Sequence, residues 1–152
     1  MIQVVRQFQW TKADNREYAR RARIAMKDIV GTWKLASYEV RLENGQVVKP
    51  WGDEFVGYLL NTNEGYTTAS MIRTNVDDKT AKESFFSLTG QVERDDNKLK
   101  IQIKMCSTLD WVGSIQERVI EASGERLSLI SPSYEWEGTT GSFIMTWQRL
   151  NR

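Results

Sequence analysis

Three polar side chains, Glu39, Gln116 and Arg118, stand at strand positions of an otherwise apolar face and could take part in chemistry. A buried carboxylate such as that of Glu39 could transfer a proton. An amide or guanidinium could donate hydrogen bonds to a ligand carbonyl and stabilise charge that develops on it. Each residue also has a structural explanation, because Glu39 and Arg118 could pair with each other and Gln116 could satisfy backbone groups. We predict these three as candidate catalytic residues.

The composition excludes several kinds of site. The 152 residues include no histidine and one cysteine, Cys106. Catalysis that uses histidine as a base, histidine metal sites, cysteine metal clusters and internal disulfides are therefore excluded. Lys and Arg number 21 against 20 Asp and Glu, which gives a net charge of only +1 and argues against nucleic-acid binding. Glycine-rich phosphate loops are also absent. We predict no metal, no cofactor and no nucleic-acid partner.

The sequence contains no apolar run long enough to cross a membrane as a helix, and its first residues lack the apolar core of a secretion signal. A single cysteine is consistent with a reducing compartment. We therefore expect a cytoplasmic protein that has no membrane partner. A homodimer stays an open alternative.

Residues 1–30 differ from the rest of the chain, because they carry seven basic and three acidic side chains. The spacing predicts an amphipathic helix with an arginine-rich outer face. This helix could dock on the following domain, or it could be a mobile lid over a binding site. We predict a helical cap over 1–30 and a second unit over 31–152. The apolar face of the helix comprises Tyr18, Ala22, Ala25, Met26 and Ile29.

Alternating apolar and polar residues indicate strands from Gly31 onward, most clearly at Leu99–Met105. Tight turns such as Asn44-Gly45 separate them, and Asp77–Glu83 is predicted as a helical turn. Eight strands close most economically as a barrel, because closure removes the edges. We predict an all-β fold, an eight-stranded antiparallel up-and-down β-barrel, with a two-sheet sandwich as the alternative. The strand segments are Thr32–Arg41, Glu54–Leu60, Tyr66–Arg73, Phe85–Glu93, Leu99–Met105, Ser114–Glu121, Leu127–Leu129 and Phe143–Trp147.

The interior of this barrel is predicted to be apolar with a few polar groups. If Trp33 points inward, a period of two also sends Ser37 and Glu39 inward. An apolar cavity with few polar groups suits a hydrophobic small molecule, which is the predicted partner. Trp111 is either a loop anchor or an aromatic that stacks on the ligand. The predicted substrate-binding residues are Ser37, Ser70, Ile103, Met105, Trp111, Phe143 and Met145.

Several motifs resemble the bacterial and fungal lipocalin-like domain family. Gly31-Thr32-Trp33 opens the first strand, and Arg149 follows Trp147 on the last strand. In the lipocalin superfamily the tryptophan closes one barrel end and an arginine of the final strand packs on it. Other positions that match the family pattern are Ser37, Glu39, Pro50, Gly52, Gly57, Leu59, Thr62, Gly65, Tyr66, Arg73, Trp111, Gly113, Gln116 and Arg118.

This resemblance implies a barrel with an apolar cavity and no metal. Relatives include β-barrel cyclases and isomerases of natural-product pathways, among them spiro-forming 4+2 cyclases, some capped by an N-terminal segment. The resemblance therefore favours a cofactor-free cyclase or isomerase (Diels–Alderase-like) that acts on a hydrophobic polyene or polyketide intermediate. The alternative is a non-catalytic carrier of a small hydrophobic metabolite, and a barrel with a filled interior is a third.

Overall fold

The chain folds into one helix and ten strands in a computed structural model that describes residues 12–74 and 84–150. The predicted helical turn at Asp77–Glu83 lies outside the described residues. A short 3-10 turn, Leu109–Trp111, links two of the strands. The elements are α1 (Lys12–Ala25), β1 (Gly31–Leu42), β2 (Val47–Val48), β3 (Phe55–Asn61), β4 (Tyr66–Arg73), β5 (Phe85–Asp95), β6 (Lys98–Cys106), β7 (Ile115–Ser123), β8 (Arg126–Ile130), β9 (Tyr134–Trp136) and β10 (Thr139–Arg149).

Eight of the strands form a closed antiparallel barrel. Neighbours along the chain pair with each other from β3 to β8, β8 pairs with β10, and β1 pairs with both β3 and β10. The β1–β10 pairing closes the ring, so no edge remains among these eight strands. The two short strands, β2 and β9, add hairpins to β1 and β10. The predicted barrel is confirmed, and the sandwich alternative is wrong.

One end of the barrel, called here the Trp33 end, is closed by an indole and a guanidinium. Trp33 is fully buried, and the Arg149 guanidinium carbon lies 4.1 Å from the centre of its ring. Arg149 also donates hydrogen bonds of 2.7 Å to the Val30 and Asp28 carbonyl oxygens. The Trp33 indole N–H donates to the Ile29 carbonyl oxygen at 3.0 Å. These contacts join the first strand, the last strand and the segment before the barrel.

Helix α1 packs against this same end through its apolar side. Tyr18 and Ala22 are buried, as the helical spacing predicts, and Ala25 is half-buried. Met26 and Ile29 are also buried, but they follow the end of the helix at Ala25. The Tyr18 hydroxyl lies within hydrogen-bond distance of the Gly65 and Val92 carbonyl oxygens, in the β3–β4 turn and on β5. Burial raises the pKa of that hydroxyl, so it stays protonated and able to donate.

Two irregularities change which side chains face the barrel interior. The β1–β10 register shifts between Leu35 and Ser37, and the β5–β6 register shifts between Thr89 and Gly90. Such a bulge inserts one unpaired residue, so side chains beyond it point to the opposite face. On β1 the inward set is Trp33 and Leu35 before the bulge, then Tyr38 and Val40 after it.

Candidate functional site

A cluster of five aromatic rings occupies the end of the barrel opposite Trp33, called here the Phe143 end. Phe143 is at its centre, with ring centroids 6.0 Å from Tyr38, 5.6 Å from Tyr134 and 5.7 Å from Trp136. Trp51 packs edge-on against Tyr38 at 5.3 Å. Burial raises the pKa of Tyr38 to about 12, so its hydroxyl is neutral at physiological pH.

A second aromatic pair stands at the same end of the barrel. Trp111, in the 3-10 turn, packs edge-on against Phe86 of β5 at 5.6 Å. Both side chains are partly buried and rest on the hydrophobic core. Of the two interpretations of Trp111, the structure shows packing against a neighbouring ring. Aromatic groups thus approach the interior from β1, β5, β9, β10 and two connecting segments.

Arg118 carries a positive charge into this apolar interior. It pairs with Leu99 across the β6–β7 ladder, and Leu99 is an inward core residue, so Arg118 also faces inward. Its guanidinium donates a hydrogen bond of 2.7 Å to the Glu117 carbonyl oxygen. Burial lowers the pKa of Arg118, and the adjacent Tyr134 hydroxyl partly offsets this effect. None of the ion pairs found in the described part of the chain includes Arg118.

Gln116 and Tyr134 form a small polar group beside that charge. Gln116 pairs with inward-facing Ile101 and is itself buried. The Tyr134 hydroxyl donates to the Gln116 amide oxygen at 3.4 Å, and the Gln116 amide nitrogen donates to the Ser114 hydroxyl at 3.3 Å. The hydroxyl, amide and guanidinium therefore bring hydrogen-bonding atoms next to the Phe143 cluster, to which the Tyr134 ring belongs.

Trp147 contributes an unsatisfied donor to the interior. It pairs with Leu35 and Leu127, which are both core residues, and it is almost fully buried. Its indole N–H has no hydrogen-bond partner within the described part of the chain. A buried donor without a partner costs roughly 1–3 kcal/mol, which a ligand or water oxygen would offset.

The predicted inward orientation of Glu39 and Ser37 is wrong. Ser37 pairs with Thr146, whose hydroxyl bonds to Ser128 on the outer face, and Glu39 pairs with Ile144 in the same outward phase. The β1 bulge is the physical reason, because it reverses the alternation after Leu35. Glu39 therefore does not point at the interior and does not pair with Arg118.

Two predicted binding residues also lie on the outside. Met105 is 61% exposed, because the β5–β6 bulge turns it outward and brings Cys106 into the core instead. Ser70 is exposed and hydrogen-bonds Ser87 at 2.9 Å on the outer surface, while its neighbours Ala69 and Met71 face the core. The prediction of Ser70 and Met105 as ligand contacts is therefore wrong in orientation.

The remaining predicted residues face the interior or its rim. Ile103 is fully buried, and Phe143 and Met145 pair with the inward residues Val40 and Tyr38. Trp111 stands at the Phe143 end. The role of these residues in binding stays a prediction. The site residues that the sequence reasoning missed are Tyr38 and Phe86, and the cluster also includes Trp51, Tyr134 and Trp136.

The described part of the N-terminal segment lies away from these aromatics. Helix α1 contacts the Trp33 end, on the opposite side of the barrel from Phe143. Residues 1–11 lie outside the described residues. The lid role predicted for 1–30, like the domain boundary at residue 31, stays a prediction.

Among residues 12–74 and 84–150, no three Cys, Asp or Glu side chains stand close enough together to hold a metal ion. In the same ranges, no helix combines the length and the apolar character needed to cross a bilayer.

Comparison with known proteins supports the lipocalin-like resemblance over part of the chain. Residues 30–87 match the model of a family described as a lipocalin-like domain. This stretch includes Trp33, the β1 bulge and Tyr38, but neither Arg118 nor Phe143. No curated protein matches the chain.

Solved structures with a similar arrangement share little sequence with this chain. A lipocalin-like protein from Bacteroides uniformis is 16% identical, covers 81% of this chain and 99% of its own, and has a TM-score of 0.46. The lipoprotein YedD from Klebsiella pneumoniae is 13% identical, covers 82% and 73%, and has a TM-score of 0.42. A protein from Bacteroides eggerthii, described as uncharacterized, is 18% identical, covers 77% and 98%, and has a TM-score of 0.41. None of these three is described as a cyclase.

Proposed function

We propose that the barrel binds a small hydrophobic molecule at the Phe143 end. The observation that carries this proposal is an aromatic cluster that adjoins Gln116, Tyr134 and an inward-facing Arg118 with no ion-pair partner in the described part of the chain. Aromatic and apolar walls with a few convergent polar groups are the usual composition of a small-molecule site. The lipocalin-like match over residues 30–87 supports the same function.

The chemistry of the site favours an elongated apolar ligand with a polar group. The Phe143 cluster would cover the apolar part, because edge-on and tilted rings leave faces and edges available to a ligand. Arg118 and Gln116 would face its oxygen atoms. Burial of the ligand would then remove apolar surface from water while its oxygen atoms accept hydrogen bonds from the remaining N–H groups of Arg118.

A fluorescence titration tests this proposal. The neutral dye N-phenyl-1-naphthylamine brightens when it enters an apolar site. We expect wild-type protein to bind it, and Tyr38→Ala to weaken the affinity about three- to tenfold through loss of one aromatic contact. Tyr58→Ala is the matched control, because Tyr58 lies on the adjacent strand but is exposed on the outer face. Absence of binding, or equal loss in both variants, would contradict the proposal.

A second candidate is a cofactor-free cyclase or isomerase that uses the same space, as the family resemblance suggests. The observation in its favour is that Arg118 and Gln116 face an apolar interior, where a hydrogen bond to a ligand carbonyl would be strong. In an intramolecular 4+2 cycloaddition the chain's role would be to hold a polyene so that its diene and dienophile meet. Such positioning can supply up to roughly 7–11 kcal/mol in well-oriented cases.

Incubation of the protein with a metabolite extract from its source organism, lacking this gene, separates the two candidates. A cyclase would convert a precursor catalytically into a product of unchanged mass, followed by liquid chromatography and mass spectrometry. A carrier would retain a compound and release it intact on denaturation. Conversion that stops at one molecule per barrel would contradict the catalytic proposal.

A further inference from the structure

We propose that the ligand of this barrel is an anion, a hydrophobic molecule with a carboxylate that binds Arg118. This inference rests on the proposed binding function and specifies its ligand class. The observation behind this inference is that the inward-facing guanidinium of Arg118 has only neutral partners among the described residues. Those partners are the Glu117 carbonyl oxygen and the Tyr134 hydroxyl.

A charge in such a position is costly for the fold. Arg118 shares its face with Leu99, Ile101 and Ile120, which are all buried apolar side chains. Moving a cation away from water without a counter-ion costs free energy, so charges taken from water normally have a paired acid. The Arg118 side chain is half-buried and bears part of this cost. The candidate acid on β1, Glu39, faces outward and cannot serve. The missing counter-charge would therefore come from the ligand.

The shape of the group favours a carboxylate over a single carbonyl. A guanidinium has five N–H donors in a planar fork, and the Glu117 carbonyl oxygen accepts from one of its nitrogens. The remaining donors match two carboxylate oxygens in a bidentate arrangement. Tyr134 lies beside the same guanidinium and its hydroxyl donates to the Gln116 amide oxygen, so it supplies Arg118 with a neutral partner and no counter-charge.

The aromatic cluster indicates that the rest of the ligand is apolar. Tyr134 belongs both to the polar group and to the Phe143 cluster, with its ring 5.6 Å from that of Phe143. A ligand with its carboxylate on Arg118 would thus extend its apolar part among these rings. The fitting class is a monocarboxylate with an unsaturated or aliphatic chain, rather than a sugar or a nucleotide.

Two probes with the same polyene chain, one with a carboxylate and one with a neutral headgroup, test this inference: cis-parinaric acid and the corresponding parinaryl alcohol. We expect wild-type full-length protein at pH 8 to bind the acid about tenfold to a hundredfold more tightly than the alcohol. Arg118→Met should abolish this ratio by weakening the acid and leaving the alcohol unchanged. Arg126→Met, which removes an exposed arginine of the neighbouring strand, should keep the ratio.

Both probes are measured on the same sample, so a partly unfolded variant changes both affinities and leaves their ratio intact. Arg118→Lys should retain part of the ratio, since it keeps the charge and loses the fork. Equal binding of acid and alcohol to wild-type protein would overturn the anion inference while the binding function stands. Failure of both probes and of the neutral dye would overturn the two proposals together.

Discussion

Arg149, at the Trp33 end of the barrel, and Arg118, which faces its interior, differ in how fully their donors are used. Arg149 stacks on Trp33 and donates to the carbonyl oxygens of Val30 and Asp28, so its role is to hold the fold. Arg118 donates to one backbone carbonyl oxygen and lies beside one hydroxyl. A side chain that costs the fold energy without a matching set of partners is typical of a functional position.

This contrast predicts opposite effects on stability. Arg149→Lys should lower the free energy of unfolding by about 1–3 kcal/mol, because lysine cannot stack and bond two carbonyl oxygens together. Arg118→Met should leave it unchanged or raise it, because an apolar side chain of similar length removes a poorly paired charge. Urea unfolding followed by tryptophan fluorescence measures both. A loss in Arg118→Met as large as that in Arg149→Lys would show that Arg118 is structural.

The strands were predictable because apolar and polar residues alternate strongly along them. Which side chains point into the barrel was predictable only as far as the next bulge. The segments from Thr32 to Trp147 fall where the period of two places them, since each strand buries one face. The bulge in β1 did leave a signal: the apolar residues change phase from Trp33 and Leu35 to Tyr38 and Val40. Attention to that phase change would have found Tyr38 and excluded Glu39.

The other errors had no such signal. In β6 the alternation continues unbroken through Met105, and the register shift depends on its pairing with Gly90, a long-range property. A Cβ at Gly90 would stand 2.5 Å from Ile101 and 2.7 Å from the Gln102 carbonyl oxygen, so glycine is required there. In β4 both faces contain apolar residues, so the orientation of Ser70 was not determined by pattern. Strand β9 was missed, because three residues are too few to show a period.

The docking of helix α1 depends on a close approach at the β3–β4 turn. A Cβ on Gly65 would lie 2.6 Å from the Ala22 Cβ and 2.8 Å from the Tyr18 hydroxyl oxygen. Gly45, in the β1–β2 turn, has the same φ of +88° but no neighbour within 4 Å. The two glycines therefore share a backbone requirement and differ only in what surrounds them.

Alanine at these two positions separates helix docking from turn strain. Gly45→Ala should lower the free energy of unfolding by about 1 kcal/mol, the cost of a left-handed conformation for alanine. Gly65→Ala should cost about 1–3 kcal/mol more, because the helix must also move away. Thermal and urea unfolding of both variants measures the difference. Equal losses would contradict the packing of α1 against this turn.

In the whole molecule, one end of the barrel stabilises the fold and the other end is the proposed binding site. The Trp33 end carries the indole clamp and helix α1, and the Phe143 end carries the aromatic cluster. The barrel itself was predictable from eight alternating segments and tight turns. The chemical class of a ligand in its interior was not predictable from the sequence. It depends on the position of Tyr134 beside Arg118, and these two residues come from different strands.

The most direct test of this account is the position of a bound ligand. We would determine a crystal structure of the protein soaked with cis-parinaric acid. The account expects the chain of the probe inside the barrel among Tyr38, Phe143 and Trp136, with its carboxylate on Arg118. Density for the probe on the outer face of the sheet, or in the cleft between α1 and β5, would contradict the central claim that the Phe143 end of the interior is the binding site.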